Sequence, residues 1–285
     1  MKSDTFGGVP LVRLSRHEVQ SVNSRIAAIF FLSLALAAQN TPKLQRGQAV
    51  PVTDAIAEDP AVAKIIAPLS AELRASFGKE LVVAPQGLFR GKGGEENLLG
   101  YWVADLMRER AQQILGIPVR FAITNSGGLR GNIRPGVVKI ADIYEVMPFE
   151  NELVVAEYTG AEILQIVKDG IFRRMGEPCS GIRAEVVGTV EKPEFIIRWS
   201  DGSLIDPTET VKVALTDYLL SSGDGLSALQ KGRRPITTGI PLRDLLLDAC
   251  TRLGNLKAPL LAPPAQRFVF TAEIRQAIRD KKLSR

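Results

Sequence analysis

The sequence predicts an α+β fold over residues 51–285, preceded by a distinct segment, residues 1–50. Three observations lead there. The chain has 285 residues, 45% of them hydrophobic and 24% charged, which is the composition of a globular protein long enough for a sizeable core. Segments with helical periodicity alternate with short β-type runs bounded by turn residues. No repeat of fixed period runs through it, so solenoids and propellers are excluded.

The elements can be justified in order. In "DPAVAKIIAPLSAELRASFG", Asp59 is an N-cap candidate, Pro60 suits the first helical position, and Gly78 stands where a helix stops. Apolar residues at 62, 65, 66, 69 and 73 define one face, and Pro68 is expected to kink it. "ELVVAP" reads as a short strand and "RGKGG" as a glycine-rich loop; Leu98 to Ile114 is a second helix with Leu99, Val103, Leu106 and Met107 inward. "VRFAI" is a strand, and "ADIYEVMPFE" a short helix or turn. "ELVVAEY" is a strand, and "TGAEILQIVKDGI" a helix capped by Thr159 with Glu162 at the capping-box position. "GIRAEVV", "EFIIRWSDGSLI" and "TVKVALTDYLL" are β-type runs, and "IPLRDLLLDACTRL" is a late helix.

Composition also excludes. The net charge is +5, which suits an anionic ligand, but the charges are scattered and no zinc-finger, basic-zipper or aromatic-basic signature points to nucleic acid. His17 is the sole histidine, which removes most zinc hydrolases, Ser-His-Asp enzymes and two-metal phosphoesterases built on several histidines. Cys179 and Cys250 lack metal spacing; they read either as buried thiols or as one disulfide in an oxidising compartment. Residues 26–38, "IAAIFFLSLALAA", follow Arg13, Arg16 and Arg25 and are too short to span a bilayer, which takes about 20 residues. Basic flank, apolar core and small residues match a secretory leader, so a periplasmic or secreted location is expected; a buried helix or strand pair is the alternative.

Four stretches have the composition of a site. In "NSGGLR", the paired glycines Gly127 and Gly128 let backbone N–H groups approach a ligand, Asn125 precedes them, and Arg130 offers a fork of donors suited to phosphate or carboxylate. A tight turn with a surface arginine is the plain alternative. "MPFENE" sets Phe149 in a polar turn, and "TDYLLSSGDG" follows Tyr218 with Asp224 in a Gly-Asp-Gly loop, an aromatic face and a carboxylate able to hold a ring and a pair of ribose hydroxyls. "FRGKGG" adds Arg90 and Lys92, which as a plain loop would only be solvated.

Taken in order, "DPAVAKII", "EENLLGYWVADLMR", "NSGGLRGNI", "ADIYEVMPFENELVVAEYTGAEI", "SGIRAEV", "DGSLIDP" and "TDYLLSSGDG" resemble the C-terminal domain of the 5′-nucleotidase and UDP-sugar hydrolase family, from about residue 51 to 272. The resemblance implies a layered α/β/β/α domain. It implies that Asn125, Gly127, Gly128 and Arg130 line the cleft with Arg130 on the substrate phosphate, that Phe149 and Tyr218 sandwich the base, and that Asp224 binds the ribose hydroxyls. Tyr218 departs mildly from the phenylalanine common there. Leu98 stands where an asparagine is usual, and Arg90 and Lys92 are displaced candidates for a further phosphate contact.

The family's two divalent metals belong to an N-terminal metallophosphoesterase domain that is not seen in this sequence, so neither a metal site nor a catalytic residue is expected here. "GGVPLVRLSR" faintly resembles the last strands of that domain, which offers a second reading of residues 1–45 as its remnant. The expected ligand is a nucleoside 5′-phosphate or related nucleotide, with a separate metallophosphoesterase domain as the implied partner. The alternatives are a stand-alone nucleoside- or nucleotide-binding protein without catalysis, and a structural remnant.

Overall fold

The computed structural model describes Ala49, Pro51, Thr53, residues 55–91 and residues 95–283. The signal-like residues 26–38 and Lys92 lie outside the described residues. Contacts divide the chain at Asp59–Pro60, and the architecture below is that of Pro60–Arg285.

In chain order the elements are α1 (Pro60–Phe77), β1 (Glu80–Ala84), α2 (Leu98–Leu115), β2 (Phe121–Ile123), β3 (Gly136–Lys139), α3 (Ile140–Val146), β4 (Glu152–Thr159) and α4 (Gly160–Arg174). Then follow β5 (Cys179–Ser180), β6 (Ile182–Gly188), β7 (Pro193–Trp199), β8 (Thr210–Thr216), α5 (Asp217–Ser222), β9 (Arg233–Pro241), α6 (Leu242–Asn255), β10 (Phe268–Phe270) and α7 (Ala272–Arg279). Single 3₁₀ turns span Ser126–Gly128, Gly223–Gly225 and Ser227–Lys231. The α+β class is as expected.

A five-stranded sheet in the order β5-β2-β8-β4-β9 organises the domain. Its period of two sorts the side chains between two apolar layers. Phe121, Ile123, Val154, Ala156, Val213 and Leu215 join the cluster built with Ile163, Ile166 and Val167 of α4, the three-stranded sheet β10-β6-β7, and α7. Ala122, Leu153, Val155 and Ala214 face the opposite way, onto Leu99, Val103 and Met107 of α2 and Leu242, Leu246 and Cys250 of α6. Each fully buried Leu, Ile or Val contributes roughly 1.5–3 kcal/mol, so these layers supply most of the driving force. The sequence of layers is helices, sheet, sheet, helix.

The local signals act as their chemistry requires. Thr159 caps α4 by accepting from the Glu162 N–H, and Glu162 returns the bond to the Thr159 N–H. Asn97 accepts from Gly100 N–H at 2.8 Å, so the residue before Leu98 caps α2. α1 runs through Pro68 as one helix, and its apolar stripe is open: Val62, Ile65, Ile66, Leu69 and Leu73 are 48–73% exposed. Its last residue, Phe77, stacks on Tyr144 at 4.7 Å between ring centroids. Cys179 and Cys250 are both free and buried, in the two different clusters.

Sheet pairing also decides where loops meet. β2 and β8 are parallel, Phe121 opposite Val213, so both chains leave the sheet at the same edge. β4 is antiparallel to β8 with Leu153 opposite Thr216, so the segment entering β4 arrives there too. β5 is antiparallel to β2 with Cys179 opposite Ile123, which brings in the end of α4 and the turn behind it. Four stretches distant in sequence therefore converge, at the carboxyl ends of parallel strands where open α/β sheets place ligands.

Candidate functional site

At that edge a cavity of about 350 Å³ is lined by Asn125, Gly127, Gly128, Arg130, Phe149, Asn151, Arg174, Tyr218 and Asp224. Seven of these nine are the residues singled out from the sequence; Asn151 and Arg174 are additions.

The turn after β2 is built inward. Asn125, 6% exposed, donates from Nδ2 to Asp224 Oδ2 at 2.8 Å, across 99 positions of sequence. Its Oδ1 folds over Gly128, where a Cβ would sit 2.8 Å away, so any side chain at that position would clash. A Cβ at Gly127 would lie 3.7 Å from an Arg174 guanidinium nitrogen, at the open side of the turn. The absence of a side chain therefore matters most at Gly128, where Asn125 needs the space; at Gly127 a Cβ would make only ordinary contacts.

Beneath the turn lies Glu177, 2% exposed. One of its oxygens accepts from both the backbone N–H and the Oγ of Ser126, each at 2.8 Å. The other faces Arg173 at 3.7 Å and Arg174 at 3.5 Å. Arg173 also reaches Asp224, pairing with Oδ1 at 3.2 Å and donating to its backbone carbonyl. Charge-assisted bonds therefore link the turn, the end of α4 and the Gly-Asp-Gly loop into one network.

Asp224 sits at φ 41°, ψ 43°, between Gly223 at φ 68° and Gly225 at φ 82°. Three successive left-handed residues make a tight loop that turns the carboxylate toward Asn125, and Asp is among the few side chains tolerated there. Each oxygen already accepts one protein donor, and a carboxylate has about four acceptor sites, so Asp224 retains capacity for two hydroxyls. Behind it, the Tyr158 hydroxyl donates to the Leu229 carbonyl, and burial raises the Tyr158 pKa, keeping that donor protonated.

The aromatic members differ from expectation in one respect. Tyr218 belongs to the first turn of α5 rather than to a strand end, because Thr216 caps that helix by accepting from Leu219 N–H at 3.0 Å. Its ring is 43% exposed and Phe149 is 38% exposed, both against the cavity. The Arg130 guanidinium lies over Phe149, 5.2 Å from the ring centroid.

Arg90 is held elsewhere. Its guanidinium donates to the carbonyls of Arg130 at 3.1 Å and Ser126 at 3.4 Å, bracing the back of the turn. It lines an adjoining cavity with Glu96, Asn97 and Tyr101 and not the one that contains Arg130. No group of three or more His, Cys, Asp or Glu side chains converges among the described residues.

The family described as "5′-nucleotidase, C-terminal domain" matches residues 81–231, and the chain belongs to it. Among curated relatives, it is 29% identical over 178 residues to the trifunctional nucleotide phosphoesterase protein YfkN of Bacillus subtilis, covering 58% of this chain and 12% of that protein. It is 24% identical over 216 residues to protein UshA of Yersinia enterocolitica, covering 75% of this chain and 38% of that one. The fold is shared with a 5′-nucleotidase precursor from Thermus thermophilus, at a TM-score of 0.63 and 23% identity over 80% of this chain and 46% of that one. In each case the chain spans less than half of the protein it matches.

Proposed function

We propose that residues 51–285 form the nucleotide-recognition domain of a 5′-nucleotidase-type hydrolase. The base stacks between Phe149 and Tyr218, Asp224 accepts from the ribose hydroxyls, and Arg130 grips the 5′-phosphate beside the Gly127–Gly128 turn. The carrying observation is convergence: side chains from four separate stretches line one cavity of about 350 Å³, with aromatic, carboxylate and guanidinium groups in the proportions a nucleoside phosphate requires. Asn125 orients Asp224 and floors the cavity.

Hydrolysis needs an activated water as well as a held substrate. Two metal ions about 3.5–4 Å apart supply it in enzymes of this chemistry, each raising the acidity of bound water and screening phosphoryl charge. Arg130 and Asp224 position a phosphate but generate no hydroxide, and positioning alone leaves most of the barrier standing. Catalysis on this reading requires a metallophosphoesterase domain acting with this one, and the leader-like pattern of residues 26–38 supports a periplasmic or secreted location for the pair.

Calorimetric titration of the purified chain with AMP, adenosine and UDP-glucose, with and without divalent metal, tests the reading. Saturable AMP binding without phosphate release is expected under Zn²⁺, Mn²⁺ or Mg²⁺. Phosphate release that scales with the chain and disappears in Asp224→Ala would show a catalytic centre within it, and absence of binding by every ligand would refute the nucleotide assignment.

A further inference from the structure

We infer that Arg174 is a second anion-contacting residue of this cavity, positioned by the buried carboxylate of Glu177, so that a ligand phosphate is held from both sides of the Gly127–Gly128 turn. The inference rests on the nucleotide reading above and adds to it a specificity for the dianionic phosphate monoester. Arg130 alone is a thin match for two negative charges in a half-open cleft, and Arg90 is engaged with backbone carbonyls behind the turn.

Three observations place Arg174 in that role. It stands between the two cavities, lining the one with Arg130, Tyr218 and Asp224 as well as the adjoining one with Arg90. Its guanidinium stands beside the turn: a Cβ at Gly127 would lie at ordinary contact distance, 3.7 Å, from Arg174 Nη1. Its Nε faces Glu177 at 3.5 Å, while no hydrogen bond engages Nη1 or Nη2 among the described residues. The side chain is thus oriented at its stem and has donors to spare at its tip. Arg173, its neighbour, is engaged by Asp224 and has no such freedom.

Glu177 is what makes the arrangement specific. Its side chain is 1% exposed, and it accepts both donors of Ser126 while facing Arg174 with its other oxygen. Turn and guanidinium therefore face one shared buried carboxylate. A last-turn arginine that merely complements the helix dipole would sit on α4 just as well. It would then be indifferent to the ligand, and that difference is measurable.

The test is calorimetric titration of the full chain with adenosine and AMP, in wild type, Arg174→Ala, Arg174→Lys, Glu177→Gln and the double variant. Arg174→Ala should weaken AMP about tenfold and leave adenosine within about twofold, the loss of one charge-assisted contact. Arg174→Lys should recover part of the loss, because it restores charge but not the fork. Glu177→Gln should lower the preference for AMP over adenosine in the wild-type background and leave it unchanged on Arg174→Ala, which identifies Arg174 as the route of its effect. Equal losses for both ligands in Arg174→Ala, or no loss for AMP, would overturn the inference while the nucleotide reading stood. Failure of the wild type to bind either ligand would remove both.

Discussion

The two walls of the cavity are built on opposite plans. The Asp224 wall is a closed polar network: the carboxylate is fixed by Asn125 and Arg173, its backbone is held left-handed between glycines, and Glu177 anchors the facing turn. The Phe149 wall rests on looser supports. Arg243 stacks on Tyr144 at 4.3 Å, donates to the Pro148 carbonyl at 3.5 Å and pairs with Glu150, but Phe149 itself stays 38% exposed. One wall is braced by its own hydrogen bonds, and the other is held by fewer contacts. On the nucleotide reading proposed above, such a pocket would read a ribose strictly and a base loosely, since every base offers a π-face while hydroxyls demand aligned acceptors.

Asp224→Ala strikes the braced wall and should have the largest effect. Two hydroxyl contacts to a charged acceptor, each about 1.5–3 kcal/mol before solvent screening, correspond to roughly a hundredfold loss for adenosine in a titration. Less than threefold would place the ribose elsewhere. Across the cavity from Phe149, Tyr218→Ala should cost about tenfold, from the roughly 1–3 kcal/mol of one base–aromatic stack. Tyr218→Phe should change little, and an Ala variant that binds adenosine as tightly as wild type would refute the sandwich.

Arg243→Ala should act on the Phe149 wall at one remove. It removes a stacking partner of Tyr144 and the donor to Pro148, so a several-fold weakening of adenosine is expected, with about 1–3 kcal/mol of stability lost in denaturant titration. Unchanged binding despite that stability loss would show that Phe149 needs no support from α6.

Beneath the cavity, the cysteines probe the two layers of the core. Burial pushes the Cys179 and Cys250 thiols up to about 12. Both should resist a thiol reagent at pH 8 in the native state and react once the chain is denatured. Unfolded thiols ionise near 8.5 and the folded ones near 12, so between those values the unfolded state holds fewer protons and stability falls as pH rises. An alkaline melting series should show a decline setting in above about pH 8.5; rapid native-state labelling would mean that the layers open.

Much of this was legible in the sequence wherever a local rule governs. Thr159 with Glu162, Pro60 with Gly78, and the inward face Leu99, Val103, Leu106, Met107 carry their own signals, and the structure places each accordingly. Three features escaped for identifiable reasons. β9 (Arg233–Pro241) is an edge strand whose residues are largely exposed, so it shows no alternation to read. Tyr218 looked like a strand residue because "KVALTDYLL" is continuously β-prone, and only the Thr216 cap turns the chain into α5.

The third omission is the support beneath the turn. Glu177 meets Ser126 across 51 positions, and Arg174 ends a helix as arginines commonly do, so neither announces itself without the sheet that juxtaposes them. The stripe on α1 is the converse: its periodicity is legible, yet its residues stay exposed in the structure.

The most direct test of the central claim is a crystal structure of the chain grown with AMP. Density is expected in the cavity of about 350 Å³, with the base between Phe149 and Tyr218, the ribose hydroxyls on Asp224 and the phosphate within hydrogen-bond distance of Arg130. A saturated crystal with that cavity empty, or with the phosphate turned away from Arg130 and the base off both rings, would contradict it.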